Sequence, residues 1–538
     1  MKQIKGRFVA AAIALSMGLV PFLGTGIHAE GETSENREKV NDLMYKEGLP
    51  IVDPGSYSFS LFVDWDNSDA FMLKQFEEET GIHVDLQAVP YNVATEKLNI
   101  SLNSGDYADC IGGWIMSETA ILTQGVEEGV FIPLEDLFKS YCPRIEEVLN
   151  LPTVRQTMTA PDGHIYSVPY VIGVPDVPFN PYINTRWLKN VGMEMPTTTE
   201  ELREVLRAFK EKDANGNGDP NDEIPFAADP NNKNLGLLCG WFGASVRDNG
   251  FTMVGDKRVF AADSDAYRKG IEYLHSLYAE GLMDPELFTK DLAQWKSAGG
   301  NDRYGVCMMY GSGDIMPFED GQEPEWRALP VLKGEGVDKP VYLRDAYDVQ
   351  ILKNQVVVTD KAKNPEAIAR WWDYVYQLDN SLQTQNGPLG VTLIKDDQGN
   401  YSTIDRNTLS KEDQDRYSWG NLWPQSLPKY VPADLKIKSA LPKFEEKDLV
   451  DELYAPYLTE AFPKFWVSLE DGPRMSDLST AITDYVKGKQ AEWISGQSDI
   501  NADWDSYKEQ LDRLGLKELL EIQERALAAQ AEAVKKAE

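Results

Sequence analysis

From Asp213 to Phe226 the chain reads DANGNGDPNDEIPF, a run of alternating oxygen donors. Asp213, Asn215 and Asn217 place a side-chain oxygen at every second position, Asp219, Asp222 and Glu223 add carboxylates, and Gly216 and Gly218 admit tight turns. Such a loop can wrap a hard cation like Ca2+, which takes roughly six to eight oxygen ligands. An EF-hand loop would end on Glu, but Ile224 holds that place and Glu223 comes one residue early. The loop is therefore EF-hand-like; the alternative is a solvated Asn/Gly turn capping the helix before it.

A second chemical signal is aromatic, with 13 tryptophans and 24 tyrosines. Sugars present apolar C–H faces between hydroxyls, so a sugar receptor stacks them on aromatic rings and fixes the hydroxyls with carboxylates, amides and arginine. Most aromatics in any protein are core, and Trp371 and Trp372, in an apolar helical stretch, are expected to pack. Trp241 and Trp423 are candidates for ligand contact because of their glycine-flanked or loop settings. Asp66, Glu118 and Arg344 are candidate hydroxyl partners.

Other chemistries have little material. His83, His164 and His275 are scattered, which argues against a His-based metal centre or triad. Cys110, Cys142, Cys239 and Cys307 form no CxxC pair and hence no zinc or redox motif; one or two disulfides remain open outside the cell, but so few cysteines leave the fold to rest on hydrophobic cores. No GxSxG or HExxH motif occurs. A net charge of −34 disfavours nucleic acid and anionic lipid, whose phosphates need a basic surface. A secreted glycoside hydrolase would share the acidity and the aromatics, but it needs two carboxylates facing each other across roughly 5 to 10 Å.

The elements that position these residues alternate strand and helix. Ser58 to Val63 predicts a buried strand, 69–80 a helix stopped by Gly81, 82–86 a second strand, 93–103 a helix and 108–111 a third strand. That order predicts a parallel sheet with helices on its faces. Ligands of such sheets sit beyond the carboxyl ends of the strands, so Trp65 with Asp64 and Asp66, past the first strand, and Trp114, past the third, should share a crevice. A second α/β segment starts near Pro178, with helices at 199–212 and 265–280 and a strand at 305–310. A strand at 356–358, a helix at 365–378 and a helix-rich stretch from about 441 complete the chain.

At the amino terminus, Lys2, Lys5 and Arg7 precede an apolar run from Phe8 to Leu23 and small residues up to Ala29. This reads as a signal peptide cleaved after Ala29, followed by a polar arm over 30–52. No later stretch reaches 18 uninterrupted apolar residues, so the mature chain is expected to be secreted and soluble.

In order and spacing the chain resembles the extracellular solute-binding proteins of carbohydrate ABC importers, including the maltose-binding type and the larger Gram-positive members. The likeness runs from about Ser58 to Leu514, through FEEETGIHVDLQAVP, EKLNISLNSGDYADCIGGW, PDGHIYSVPY, YINTRWLKNVGMEMPTTTEEL, KNPEAIARWWDYVY and ITDYVKGKQAEWISGQSDINADWDSYKEQLDRLGL. It implies an α/β two-lobed clamshell, like the periplasmic binding proteins, with discontinuous lobes: 53–172 and 350–390 in one, 173–349 and 391–514 in the other, and a helical tail over 515–538. Chain crossings are then expected near 168–175, 347–352 and 387–393. The implied function is a monomeric, non-enzymatic receptor that closes on a ligand, an oligosaccharide or related sugar, and delivers it to ABC permease subunits. A receptor for peptides or other solutes is the alternative.

By the same resemblance, Tyr170 lies at the first crossing, and Tyr310 and Trp466 stand where the family places stacking rings. Larger members carry a similar calcium-binding loop, which points to structural Ca2+ at Asp213–Glu223. Gram-positive relatives usually carry a lipidated cysteine just after the signal's apolar core; here FLGTGIHAE has none.

Overall fold

Alternation along three short strands builds the first lobe around one sheet. In the computed structural model, Tyr57–Asp64 (β1) pairs in parallel with Ile82–Val89 (β2) on one side and Cys110–Gly112 (β3) on the other, and Val356–Val358 adds antiparallel beside β3. Successive strand residues face opposite sides. Phe59, Leu61, Val63, Cys110, Val356 and Val358 therefore join one core with Trp371 and Trp372, while Phe62, Ile111 and Val357 join another with Ala94 and Leu98. The helix Phe71–Thr80 ends at Gly81, whose φ is 76°. A Cβ there would lie 2.3 Å from the Val52 carbonyl oxygen, so only glycine permits the arm to pass so close.

The structure describes residues 37–151, 153–231, 233–311, 315, 325–344, 349–438 and 445–537. The expected signal peptide and its cleavage point lie outside them.

A second sheet, in the order Trp326–Ala328, Asn180–Asn184, Tyr304–Met309 and Ile224–Ala228, forms the other lobe; only its last pair is parallel. The helices Thr185–Val191, Thr199–Glu211 and Asp265–Ala279 cover it, as do two late helices, Gly472–Ser495 and Ile500–Arg513. A full capping box starts Thr199–Glu211: Thr198 accepts from the Glu201 amide and Glu201 reaches back. Tyr170–Gly173 pairs with Val349–Leu352 and with Tyr430–Val431, which lays the two expected crossings near 170 and 350 side by side.

Two boundaries differ from expectation. Residues 391–431, expected in the second lobe, return to the first: Leu422, Trp423 and Leu427 are buried in its core. The later passage between lobes is instead the stretch after Tyr457. Tyr457 and Thr459 bond with the Tyr342 backbone in the second lobe, whereas Trp466 packs with Phe62 and Val357 in the first. Leu516–Ala537 is not a separate tail. Its Leu516, Leu519 and Ile522 join the second core, and Gln530 donates to the Gln156 and Thr159 carbonyls of the first lobe at 2.7 and 2.9 Å. The four cysteines are buried.

Candidate functional site

At the carboxyl end of β1, Asp64 is 5% exposed. Its carboxylate accepts the Trp114 amide at 3.0 and 3.2 Å and the Ser426 hydroxyl at 3.2 Å. Burial raises its pKa to about 6, against the opposing pull of those hydrogen bonds. Gly113 makes the turn with φ 120°, and a Cβ there would come 1.7 Å from Asp64 Oδ1. Glycine and carboxylate thus fix a turn just beyond β3 that holds the Trp114 indole outward, 48% exposed.

Trp114 faces Tyr170, with ring centroids 6.3 Å apart and planes at 56°. Tyr170 is itself buried, and burial pushes its hydroxyl up to about 12. On Tyr170 rests the Lys429 ammonium, 5.6 Å from the ring centroid. Lys429 is fully buried, donates to Gln425 Oε1 at 3.1 Å, and is lowered by burial to about 7. A single segment supplies this backing and traces the lobe's rim. Tyr417 packs edge-on against Phe71, Asn421 accepts from Asn67, Ser426 reaches Asp64 and Lys429 underlies Tyr170.

The opposing lobe presents Tyr310, 38% exposed at the end of Tyr304–Met309 and edge-on to Phe179 at 5.8 Å. Arg344 lies 3.4 Å from Asp176, whose own amide donates to Asp451. Each lobe thus carries an exposed ring, Trp114 in the first and Tyr310 in the second, with charged and amide groups on the same elements.

The remaining candidates take other positions. Asp66 is exposed at the rim, and Trp65 packs partly buried against the first core. Trp241 is fully buried in the second core, edge-on to Tyr273, and Trp423 is fully buried and stacked on Trp371 at 6.3 Å. Neither exposes a face for a ligand: glycine neighbours and a loop setting do not distinguish a buried indole from an open one. Trp466 is 3% exposed; its indole N–H donates to the Thr157 carbonyl and the Lys353 ammonium lies 4.2 Å from its ring. Glu118 is paired with Lys353 at 3.1 Å. Lys353 also donates to the Phe465 carbonyl at 2.6 Å, so Glu118 and Trp466 serve here to pin the 465–466 segment onto the first lobe. The sequence places Asp64 at the crevice but does not show its positioning role, and it marks neither Lys429 nor the 62% exposed Trp419.

The Asp213–Glu223 loop stands apart in the second lobe. Its backbone is clamped from outside: Arg186 donates to the Asn215 carbonyl, Asn190 to Ala214, and Arg303 to Asp222. Asp213 accepts the Gly218 amide, Glu223 accepts the Ala214 amide, and Asp222 accepts from both Asn215 and Asn217. Asp213 Oδ1 and Glu223 Oε2 are buried without a hydrogen-bond partner. Burial and the neighbouring Asp222 raise the Glu223 pKa against the loop's backbone hydrogen bonds. Orphaned carboxylate oxygens are costly unless something compensates them, and a cation does so; this donor set fits Ca2+. Asp219 turns instead to Asn221. No group of three or more His, Cys, Asp or Glu side chains is gathered in metal-holding geometry among the described residues, so the amide and backbone oxygens would have to contribute.

Comparison with known proteins gives these positions a context. Residues 66–381 match the family model for bacterial extracellular solute-binding proteins. The chain is 31% identical over 492 residues to the fructooligosaccharide ABC transporter substrate-binding protein FusA of Streptococcus pneumoniae, covering 86% of this chain and 87% of that protein. It superposes on the solved structure of S. pneumoniae FusA in complex with kestose with a TM-score of 0.71 and 28% identity, over 89% of this chain and 99% of the other. A structure of a FusA EF-hand mutant in complex with fructo-nystose matches over the same shares, with 28% identity and a TM-score of 0.70.

Proposed function

We propose, since this chain belongs to the bacterial extracellular solute-binding protein family, that it is the receptor of an ABC importer and closes its two lobes on an oligosaccharide. The observation that carries the ligand class is Trp114, an indole held half-exposed by a buried carboxylate and a turn that admits only glycine. A protein commits a buried charge to hold an aromatic face in water when the face has a partner to meet, and a sugar's C–H face is such a partner. The FusA complexes with kestose and fructo-nystose support fructooligosaccharides as the first ligands to test.

Trp114 from the first lobe, backed by the buried Tyr170, and Tyr310 from the second would grip the sugar rings, with Arg344 meeting hydroxyls. Closure would exclude water, and delivery would follow when a permease binds the closed form. The protein works as a monomer, is exported by a signal peptide ending near Ala29 and leaves its ligand chemically unchanged. Among the described residues no helix is long and apolar enough to cross a membrane.

Asp213, Asn215, Asn217, Asp222 and Glu223 would hold Ca2+, which supplies positive charge to compensate their buried oxygens and clip one end of the lobe. The FusA EF-hand mutant supports this reading through the corresponding class of loop.

Calorimetric titration of the purified protein with kestose, longer fructooligosaccharides and, as controls, short peptides tests the ligand class. One saturable sugar site, with the ligand recovered intact, is the expected result. Saturable binding of peptides alone, or recovery of shortened sugars, would refute it.

A further inference from the structure

One aromatic ring more exposed than Trp114 has no part in the site as described. Trp419 is 62% exposed, and its exposure does not come from a loose backbone. Two residues before it, Tyr417 is buried edge-on against Phe71 at 5.2 Å. Two residues after it, Asn421 accepts from Asn67 at 2.6 Å and donates to the Asp415 carbonyl at 2.9 Å. Leu422 and Trp423 follow, both fully buried in the first core. The segment is anchored on both sides, so the indole is held in solvent by a fixed backbone, as Trp114 is.

Its position continues the rim. The chain that carries Trp419 goes on to Ser426, which bonds the carboxylate holding Trp114, and to Lys429 beneath Tyr170. Asn67, its anchor, sits next to Asp66 in the loop leaving β1. Asp66 is exposed and makes no hydrogen bond or ion pair among the described residues. The outer end of the rim thus combines an open aromatic face with an uncommitted carboxylate, the pair that holds one sugar ring by stacking and by its hydroxyls.

We propose that Trp419 and Asp66 form an outer subsite that takes a sugar ring beyond the one held at Trp114, and that this subsite sets a preference for longer chains. The proposal rests on the oligosaccharide reading above.

The test is a titration of wild type, Trp419→Ala, Trp419→Phe and Asp66→Asn with kestose, nystose and fructosyl-nystose. Trp419→Ala should leave kestose affinity within a factor of two and weaken the longer sugars about tenfold, a usual size for one lost stacking contact. Trp419→Phe should recover most of that loss, and Asp66→Asn should fall in between. Equal affinities of Trp419→Ala and wild type for all three sugars would overturn the outer subsite alone, as would an equal loss on all three. Failure of wild type to bind any of the three would remove the oligosaccharide reading and this proposal with it.

Discussion

Replacing Asp64 with Asn isolates what the buried carboxylate does. In the folded protein its pKa stands near 6, against an ordinary 3.8. Between those two values the native state keeps a proton that the unfolded chain has released. Stability contributed by this group is therefore complete below the ordinary value and is lost as pH rises through about 6. A gap of about two pKa units corresponds to about 3 kcal/mol. Asn carries no charge, so the variant escapes that loss. It does place an amide N–H2 where the Trp114 amide now finds an acceptor at 3.0 Å, and a lost charge-assisted hydrogen bond costs about 1.5 to 3 kcal/mol. Denaturant unfolding of both proteins from pH 4 to 8 should thus show a difference that moves by about 3 kcal/mol in favour of the variant as pH rises. Ligand affinity at pH 7 should fall, because the turn beneath the indole is no longer fixed. A stability difference that stays constant over this range would refute the buried-charge account, and full ligand affinity would refute the positioning role.

Other outcomes follow from named contacts. Chelating Ca2+ should lower the melting temperature reversibly, and Asp213→Ala or Glu223→Ala should abolish the response; metal analysis showing no bound calcium would contradict it. Trp114→Ala should cost about 1 to 3 kcal/mol of sugar affinity with little change in stability, whereas Trp241→Ala should cost about 3 to 5 kcal/mol of stability because it empties a core position. Circular dichroism melts and titrations on the same preparations separate the two. Gln530→Ala leaves two carbonyls and the Trp466 amide without their partner, at about 1 to 3 kcal/mol for each group that stays buried. Faster exchange of the Trp466 amide hydrogen is the expected signature.

The three-strand unit at the start of the first lobe was legible in the sequence because its apolar residues alternate and its helix stops at a glycine. The strand Val356–Val358 and the packing of Trp371 and Trp372 were legible for the same reason: a short run of one character tells its own burial. Residues 391–431 were not. Leu422, Trp423 and Leu427 are separated by polar and turn residues, and nothing local says which of two cores they complete. The aromatic candidates divide in the same way. The exposure of Trp114 was legible because topology leaves strand ends open, while Trp241 and Trp423 look locally like Trp419, and only packing tells which ring meets solvent. Lys429 left no local trace, since a lysine buried among residues far along the chain reads in sequence as an ordinary surface charge. The alternating donors of the Asp213 loop were visible; its two orphaned oxygens required the fold.

The Leu516–Ala537 helix gives the order of events in folding a constraint. The first lobe's sheet comes mostly from residues before 113, yet one face of that sheet is finished by Trp466, and Trp466 is held by Gln530. A chain made amino end first therefore cannot cover that face of its earliest strands until the Leu516–Ala537 helix is present. Such distant pairing slows folding and prolongs exposure of apolar surface. Truncation before Gln530 should then reduce the yield of folded protein before it alters any property of the ligand site.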